Sequence, residues 1–371
     1  MSIQNARRPL VIVVSTVAGT GQGGISTALP GYFEAMRREG IEYQVIVSHE
    51  GGGALHKLGL YVKGLRALVR YISNARQKQQ LPILYIHIGP WKSMFRKWSF
   101  VLLGKMFGAK VMCQSHSLSL DHYLSNGVGR LACRIFFAPI DRVLVLTEWW
   151  RIRLVGVGMR KLSVVPNPLP AHFEKMAHRK RAQLNPAVRD KTIRLLSMTR
   201  LVHGKGLELV IEALALLPPQ FVLTIAGSGA LRAALEQQVV GLALTERVTF
   251  PGWVGGEQRL ALFESHDIFV LPSQNDSFGM GFVEAMSYGL PVVALDWGAI
   301  SDVVEKDKAG ILIEYAEPSL LAAALKKLTS AKHRQAMGVH GKQWVLQKFS
   351  IDSVSAKLAD AVDLVVMEER G

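Results

Sequence analysis

A chain of 371 residues is longer than one hydrophobic core usually organises, and 49% hydrophobic with 20% charged residues is ordinary for a well-packed soluble protein of two domains. Two cysteines, Cys113 and Cys133, have no CxxC spacing, which argues against a thiolate metal site and suits a reducing cytoplasm. No stretch reaches the roughly 20 apolar residues of a membrane span, while the net charge of +15 is unevenly placed: Gly51 to Leu120 holds no Asp or Glu and eleven Lys and Arg. The N-terminal half therefore carries a positive field suited to phosphates or anionic lipid.

Arg7 and Arg8 precede an apolar run, Pro9 to Val14, which superficially resembles a signal peptide. The run is too short, and a Gly-rich polar loop follows it where a cleavage site would stand, so it reads as a first buried strand. Further strands are expected at 43–47, 83–88, 110–113, 142–146 and 162–165, with helix-length amphipathic segments between them. Gly19-Thr20-Gly21-Gln22-Gly23-Gly24 joins the first strand to a helix beginning near Ile25. Glycines allow backbone amides to approach a phosphate at a helix N-terminus; the pattern is neither a Walker loop nor a clean GxGxxG, and fits a plain strand-to-helix turn as well.

Within His56 to Ala75, Lys63, Arg66 and Arg70 share one helical face, and Leu58, Tyr61, Leu65, Leu68, Val69 and Ile72 lie roughly opposite. Such a helix suits an anionic membrane surface or packs into the domain with a solvated charged face. Trp91, Phe95, Trp98 and Phe100, interleaved with Lys92, Arg96 and Lys97, favour the membrane reading. His116, after the strand at 110–113, is a structural hydrogen-bonder or a functional group.

Pro166-Asn167-Pro168-Leu169-Pro170 forbids helix and disfavours a central strand, and the basic segment Lys175 to Lys191 follows it. The domains are expected at 1–168 and 169–350, with a helix over 351–371 that could return to the first domain. The second half repeats the strand-helix alternation, with strands at 193–197, 222–226, 248–250, 268–271, 291–295 and 310–313, so each half reads as a parallel sheet covered by helices. Arg200 and Lys205 flank a loop beside a helix N-terminus, where they could grip a diphosphate or simply be solvated. Gly227-Ser228-Gly229 and Phe250-Pro251-Gly252 stand at later strand ends. The most specific stretch runs from Leu271 to Met286: a strand, a Gly-containing turn, and a helix, with Asp276 before the turn and Glu284 on the helix among apolar neighbours. Carboxylates so placed can accept paired hydrogen bonds from vicinal hydroxyls.

The order of these segments resembles family 4 of the retaining glycosyltransferases, with the Gly-rich first loop, the Pro-Asn-Pro connector, Arg200-Leu201, Lys205-Gly206, Gly227-Ser228-Gly229 and the acidic motif in sequence. That family typically shows Glu, seven residues, Glu; here it is Asp276, seven residues, Glu284. The resemblance implies a GT-B fold, an α/β architecture of two facing Rossmann-like domains with a deep cleft. It implies that Arg200 and Lys205 bind the donor diphosphate, Glu284 the ribose, and Asp276, with the amides of Phe278, Gly279 and Met280, the transferred sugar. Ser277, Gly227 and Val254 complete the implied donor contacts, Gly23 and Gly24 approach the distal phosphate, and His116 stands near the sugar.

The implied activity is transfer from a nucleotide-diphosphate sugar, UDP ahead of GDP, without metal or other cofactor, to a polysaccharide or lipid-linked glycan. Lys63, Arg66, Arg70, Arg96 and Lys97 would face the acceptor or the inner leaflet of the plasma membrane, making a cytoplasmic, peripheral enzyme. A sugar phosphorylase and a basic nucleic-acid-binding module are the rivals; for the latter no motif is present, and no nucleic-acid partner is expected.

Overall fold

The computed structural model describes residues 8–18, 24–179 and 191–369. Two compact units result: Met1–Pro170 together with Ser350–Gly371, and Ala171–Phe349. Leu169 and Pro170 thus stay with the first unit, and Ser350 joins it as the cap of the last helix.

The first unit holds a parallel sheet of β1 (Pro9–Thr16), β2 (Glu42–His49), β3 (Leu81–Ile88), β4 (Lys110–Ser115), β5 (Arg142–Val145) and β6 (Leu162–Val164), in the order β2-β1-β3-β4-β5-β6. Every residue of β3, Leu-Pro-Ile-Leu-Tyr-Ile-His-Ile, is buried. A strand covered on both faces needs such a continuous apolar run instead of an alternating one. Helix α1 (Gly24–Arg38) carries the chain from β1 to the edge strand β2. Helices α2 (Ala54–Gln77), α3 (Trp91–Met106), α4 (Ser119–Leu124), α5 (Gly127–Phe137) and α6 (Glu148–Val155) serve crossovers in the other direction. Right-handed crossovers then place α2 to α6 on one face and α1 on the other.

Beside α1 lies α15 (Ile351–Met367). Its Val354, Leu358, Ala361, Val362 and Val365 share one core with Val11, Val13, Ala28, Tyr32 and Met36, an i, i+4, i+7, i+8, i+11 stripe of the kind that buries a helix face. The Ser350 hydroxyl caps the helix by accepting from Ser353 N at 3.2 Å. At its far end Glu368 meets Arg142 at 2.5 Å and Lys161 at 2.8 Å. The Pro-rich connector is fixed to the same unit: Tyr32 donates its hydroxyl proton to Pro166 O at 3.0 Å and accepts from Gln114 Nε2 at 2.7 Å.

The second unit begins with α7 (Ala171–His178) and holds β7 (Ile193–Met198), β8 (Phe221–Ala226), β9 (Val248–Gly252), β10 (Ile268–Leu271), β11 (Val292–Leu295) and β12 (Gly310–Ile313), ordered β12-β11-β10-β7-β8-β9 and all parallel. The chain winds outward from β7 through α8 (Leu207–Ala215), β8, α9 (Arg232–Gly241) and β9, then returns by α10 (Gly256–Ser265) to β10 on the other side of β7 and continues through α11 (Met280–Ser287), α12 (Ile300–Val303), α13 (Pro318–Lys327) and α14 (Ala331–Phe349). An aromatic cluster underlies these returns, with Phe263 stacked on Tyr288 at 5.4 Å and Phe269 edge-on to Phe282 at 5.8 Å. The expected parallel α/β architecture is what forms, with each expected strand in place to within a few residues. Lys175 lies on α7, and residues 180–190 of the expected basic segment are outside the described residues.

Two expectations about the basic half need correction. Lys97, expected at an acceptor or membrane surface, is 2% exposed, because it shares a helical face with Met94, Phe100, Val101 and Gly104 that packs on the sheet. Phe100 is core for the same reason, and Leu68 and Ile72 of α2 are likewise buried. Lys63, Arg66 and Arg70 are exposed, and Arg96 is partly so. Among the described residues no helix is long and apolar enough to cross a membrane.

Candidate functional site

In an open parallel sheet, ligands bind beyond the carboxyl ends of the strands where the winding reverses, since the two departing loops diverge there and leave a crevice. In the second unit this point lies between β7 and β10, which pair through Leu195–Ile268 and Leu196–Phe269. The loops leaving those two strands are 199–206 and 272–279, the segments carrying Arg200, Lys205 and Asp276.

The two loops are stitched together. Gln274 N donates to Gly204 O at 2.9 Å, and Lys205 Nζ reaches across to Asn275 O at 2.7 Å and Asp276 Oδ1 at 2.9 Å. Lys205 is 4% exposed, a depth at which an ammonium needs a charged partner. Gly206 makes the approach possible: it has φ +72°, and a Cβ there would stand 2.5 Å from Pro272 O. Asp276 Oδ2 has no hydrogen-bond partner among the described residues, so an acceptor oxygen remains at the mouth of the crevice.

Arg200 is exposed, but its backbone is not free. Thr199 N donates to Ala226 O at 3.0 Å, Leu201 N to Ser228 O at 2.9 Å, and Leu231 N to Leu201 O at 3.0 Å. This contact demands glycine at 227, where φ is +149° and any Cβ would collide with the Thr199 carbonyl oxygen. The Gly227-Ser228-Gly229 turn therefore braces the Arg200 loop. Val254 lies just beyond β9 beside the exposed Trp253.

Glu284 occupies the fifth position of α11, which is headed by Gly279, and is fully buried. Its Oε2 pairs with Arg259 of α10, and its Oε1 has no hydrogen-bond partner among the described residues. Arg259 itself lies over the Phe173 ring, 5.5 Å from its centroid. Burial raises the Glu284 carboxyl above the usual glutamate range and Arg259 opposes the rise. Phe278 is buried and edge-on to Phe349 at 5.4 Å, so its side chain anchors the loop while the backbone of 277–280 leads into the helix. Arg259 was missed by sequence reasoning; an acid inside an apolar helix calls for a cation, but no spacing says which neighbouring helix supplies it.

In the first unit the winding reverses between β1 and β3. Of the Gly-rich loop, Gly24 opens α1, and Gly23 lies outside the described residues. His87 stands near the carboxyl end of β3 and His116 follows β4; their rings stack, centroids 5.1 Å apart, with His87 Nδ1 2.9 Å from His116 Nε2. Beneath them Lys97 Nζ donates to His87 O. Burial, with Lys97's charge adding to it, pushes His116 down to about 3 and His87 well below the usual range. Burial also lowers Lys97 to about 7. An apolar groove lined by Phe137, Ile140, Val157 and Met159 lies at the amino ends of β5 and β6, the opposite sheet edge from His116.

Residues 179–344 match the family model described as glycosyl transferases group 1. An uncharacterized glycosyltransferase of Methanocaldococcus jannaschii is 30% identical over 251 residues, 67% of this chain and 60% of that one. A GDP-mannose-dependent alpha-(1-6)-phosphatidylinositol monomannoside mannosyltransferase of Mycobacterium tuberculosis is 28% identical over 204 residues, 52% of this chain and 51% of that one. The chain thus spans about half to three fifths of the length of the first curated relatives it matches. Anabaena HepE, crystallised with UDP, shares the fold with a TM-score of 0.70 at 18% identity, over 96% of this chain and 99% of that one. Residues 179–344 are thus similar to the group 1 glycosyl transferases, and the fold is GT-B.

Proposed function

We propose that the protein is a retaining hexosyltransferase that takes a sugar from a nucleotide-diphosphate donor held by the second unit. The carrying observation is the Lys205–Asp276 bridge at the reversal between β7 and β10, which sets a cation and an open carboxylate oxygen at one ligand position. Arg200 and Lys205 supply positive charge where the diphosphate leaves, Glu284 Oε1 accepts from ribose hydroxyls, and Asp276 Oδ2 accepts from the sugar.

In the transfer step the bond from the anomeric carbon to the diphosphate oxygen breaks and its electron pair goes to the phosphate. An acceptor hydroxyl oxygen bonds to the same carbon on the same face, and its proton passes to the departing phosphate. Negative charge grows on the phosphate, so the two cations stabilise the transition state more than the bound donor, and this supports a reaction without metal. The acceptor is a polysaccharide or lipid-linked glycan. UDP is the first base to test, since HepE binds UDP; the mycobacterial relative uses GDP-mannose.

The test is a thermal-shift screen of UDP- and GDP-sugars, repeated with a chelator. A nucleotide-sugar should raise the melting point equally with and without chelator, and Lys205→Ala and Glu284→Ala should each abolish the rise. Retained donor binding in both variants would overturn the site.

A further inference from the structure

The second unit holds an acidic corner in a basic chain. From Asp296 to Glu317 stand six carboxylates and two lysines, although the whole chain carries +15. Lys306 and Lys308 are taken up by Asp296 at 3.0 Å and Glu305 at 2.8 Å. Glu314 and Glu317 stay exposed, with no ion-pair partner among the described residues.

Two large rings are exposed in the same corner, Trp297 at 51% and Tyr315 at 59%. Their placement follows from the sheet. β11 and β12 run parallel with Leu295 beside Ile313, and Asp296 N donates to Ile313 O at 2.8 Å, carrying the ladder one step past that pair. Trp297 and Tyr315 each come two residues after the pair, so they leave the carboxyl ends of neighbouring strands at matching positions, with the strands about 4.8 Å apart. Both loops are braced. Asp296 accepts from Ser301 Oγ at 2.5 Å, Trp297 N donates to Leu295 O at 2.9 Å, and Ile300 N donates to Trp297 O at 3.2 Å. On the other loop Glu317 N donates to Tyr315 O at 2.9 Å, just ahead of Pro318, which opens α13.

This corner adjoins the donor crevice. β11 lies next to β10, on the side away from β7, so the carboxyl edge of the sheet runs from Arg200 and Lys205, past Asp276, to Trp297 and then Tyr315. With Asp276 read as the sugar contact, that direction leads from the diphosphate through the transferred sugar to what lies beyond it. A pyranose has a face of C–H groups and a rim of hydroxyls: the face covers an indole or phenol ring, and the hydroxyls donate to carboxylates alongside. Unmatched carboxylates repel an anionic polymer, and a second copy of this corner would bring like charges together.

We propose that Trp297 and Tyr315, with Glu314 and Glu317, form a binding site for a neutral glycan at the carboxyl ends of β11 and β12. The proposal rests on the reading of Asp276 above and narrows the acceptor to an uncharged glycan at least two pyranose rings long.

The test follows the Trp297 indole N–H by NMR in the whole chain, its signal assigned by its absence from Trp297→Phe, during titration with maltohexaose, with mannohexaose and with hexagalacturonate. The signal should move with at least one of the neutral hexasaccharides and stay in place with hexagalacturonate. Tyr315→Ala should weaken the neutral titration about tenfold, while its thermal shift with nucleotide-sugar stays as in the parent chain. A Trp297 signal unmoved by both neutral glycans, an equal response to hexagalacturonate, or an undiminished titration in Tyr315→Ala would overturn the proposal. Failure of the donor reading shows separately, as a parent chain whose melting point no nucleotide-sugar raises.

Discussion

Arg259 of α10 and Glu284 of α11 form a one-sided pair: the guanidinium engages Oε2 and leaves the buried Oε1 open. The arginine keeps the carboxylate charged inside an apolar helix, and so keeps an acceptor oxygen available. Because burial raises the Glu284 carboxyl, the folded state binds its proton more tightly than the unfolded state does. Stability from this group is full below the ordinary glutamate range and is lost as pH rises through the raised value. Arg259→Met removes the opposing charge, so the loss grows: about 2 kcal/mol at pH 8, where a buried carboxylate is left alone, and much less at pH 5. Melting curves at the two pH values check this, and adding Glu284→Gln should restore most of the loss at pH 8.

Asp276 keeps the Lys205 bridge on one oxygen and offers the other. Asp276→Asn should weaken the bridge and lower kcat by at least tenfold, with a smaller change in nucleotide affinity, because the proposed contact is to the sugar. Asp276→Glu lengthens the side chain by one methylene and should change the ranking of donor sugars. Steady-state kinetics beside calorimetric titration with the free nucleoside diphosphate separates the two effects.

The His87–His116 stack should be neutral on both rings throughout the physiological range. With His116 held near 3 in the fold, the unfolded chain binds its proton first as pH falls. This contribution to stability is therefore present above about pH 6.5 and is lost as pH drops from there toward 3. His116→Asn should flatten that acid limb of the melting profile, and ring nitrogen shifts by NMR at pH 6 should show neutral tautomers.

Gly227→Ala forces a methyl group onto the Thr199 carbonyl in a backbone conformation that disfavours a side chain. A loss of about 2 kcal/mol or more is expected. Because the turn braces the Arg200 loop, donor affinity should fall even at temperatures where the fold persists. Denaturant unfolding and the nucleotide-sugar thermal shift measure the two consequences.

The sheets were legible because β3 and its counterparts are short unbroken apolar runs, and parallel strands buried on both faces must be so. Asp276 and Glu284 were legible because acids beside a Gly-bearing turn stand out from an apolar helix. Lys97 was misplaced by weighing its charge against nearby aromatics, although its period with Met94, Phe100 and Val101 already marked the inward face. Arg259 was invisible, since it lies 25 residues from Glu284 on a different crossover helix and meets it only through the fold.

Helix α15 closes the core beneath β1 and α1, yet it is synthesised after the whole of Ala171–Phe349. The first unit is therefore discontinuous: while Ala171–Phe349 can fold as it emerges from the ribosome, the earlier residues wait with an apolar groove uncovered along α1. Loss of α15 would damage the first unit more than Ala171–Phe349, and a folding helper that shields α1 during synthesis would act until α15 has emerged.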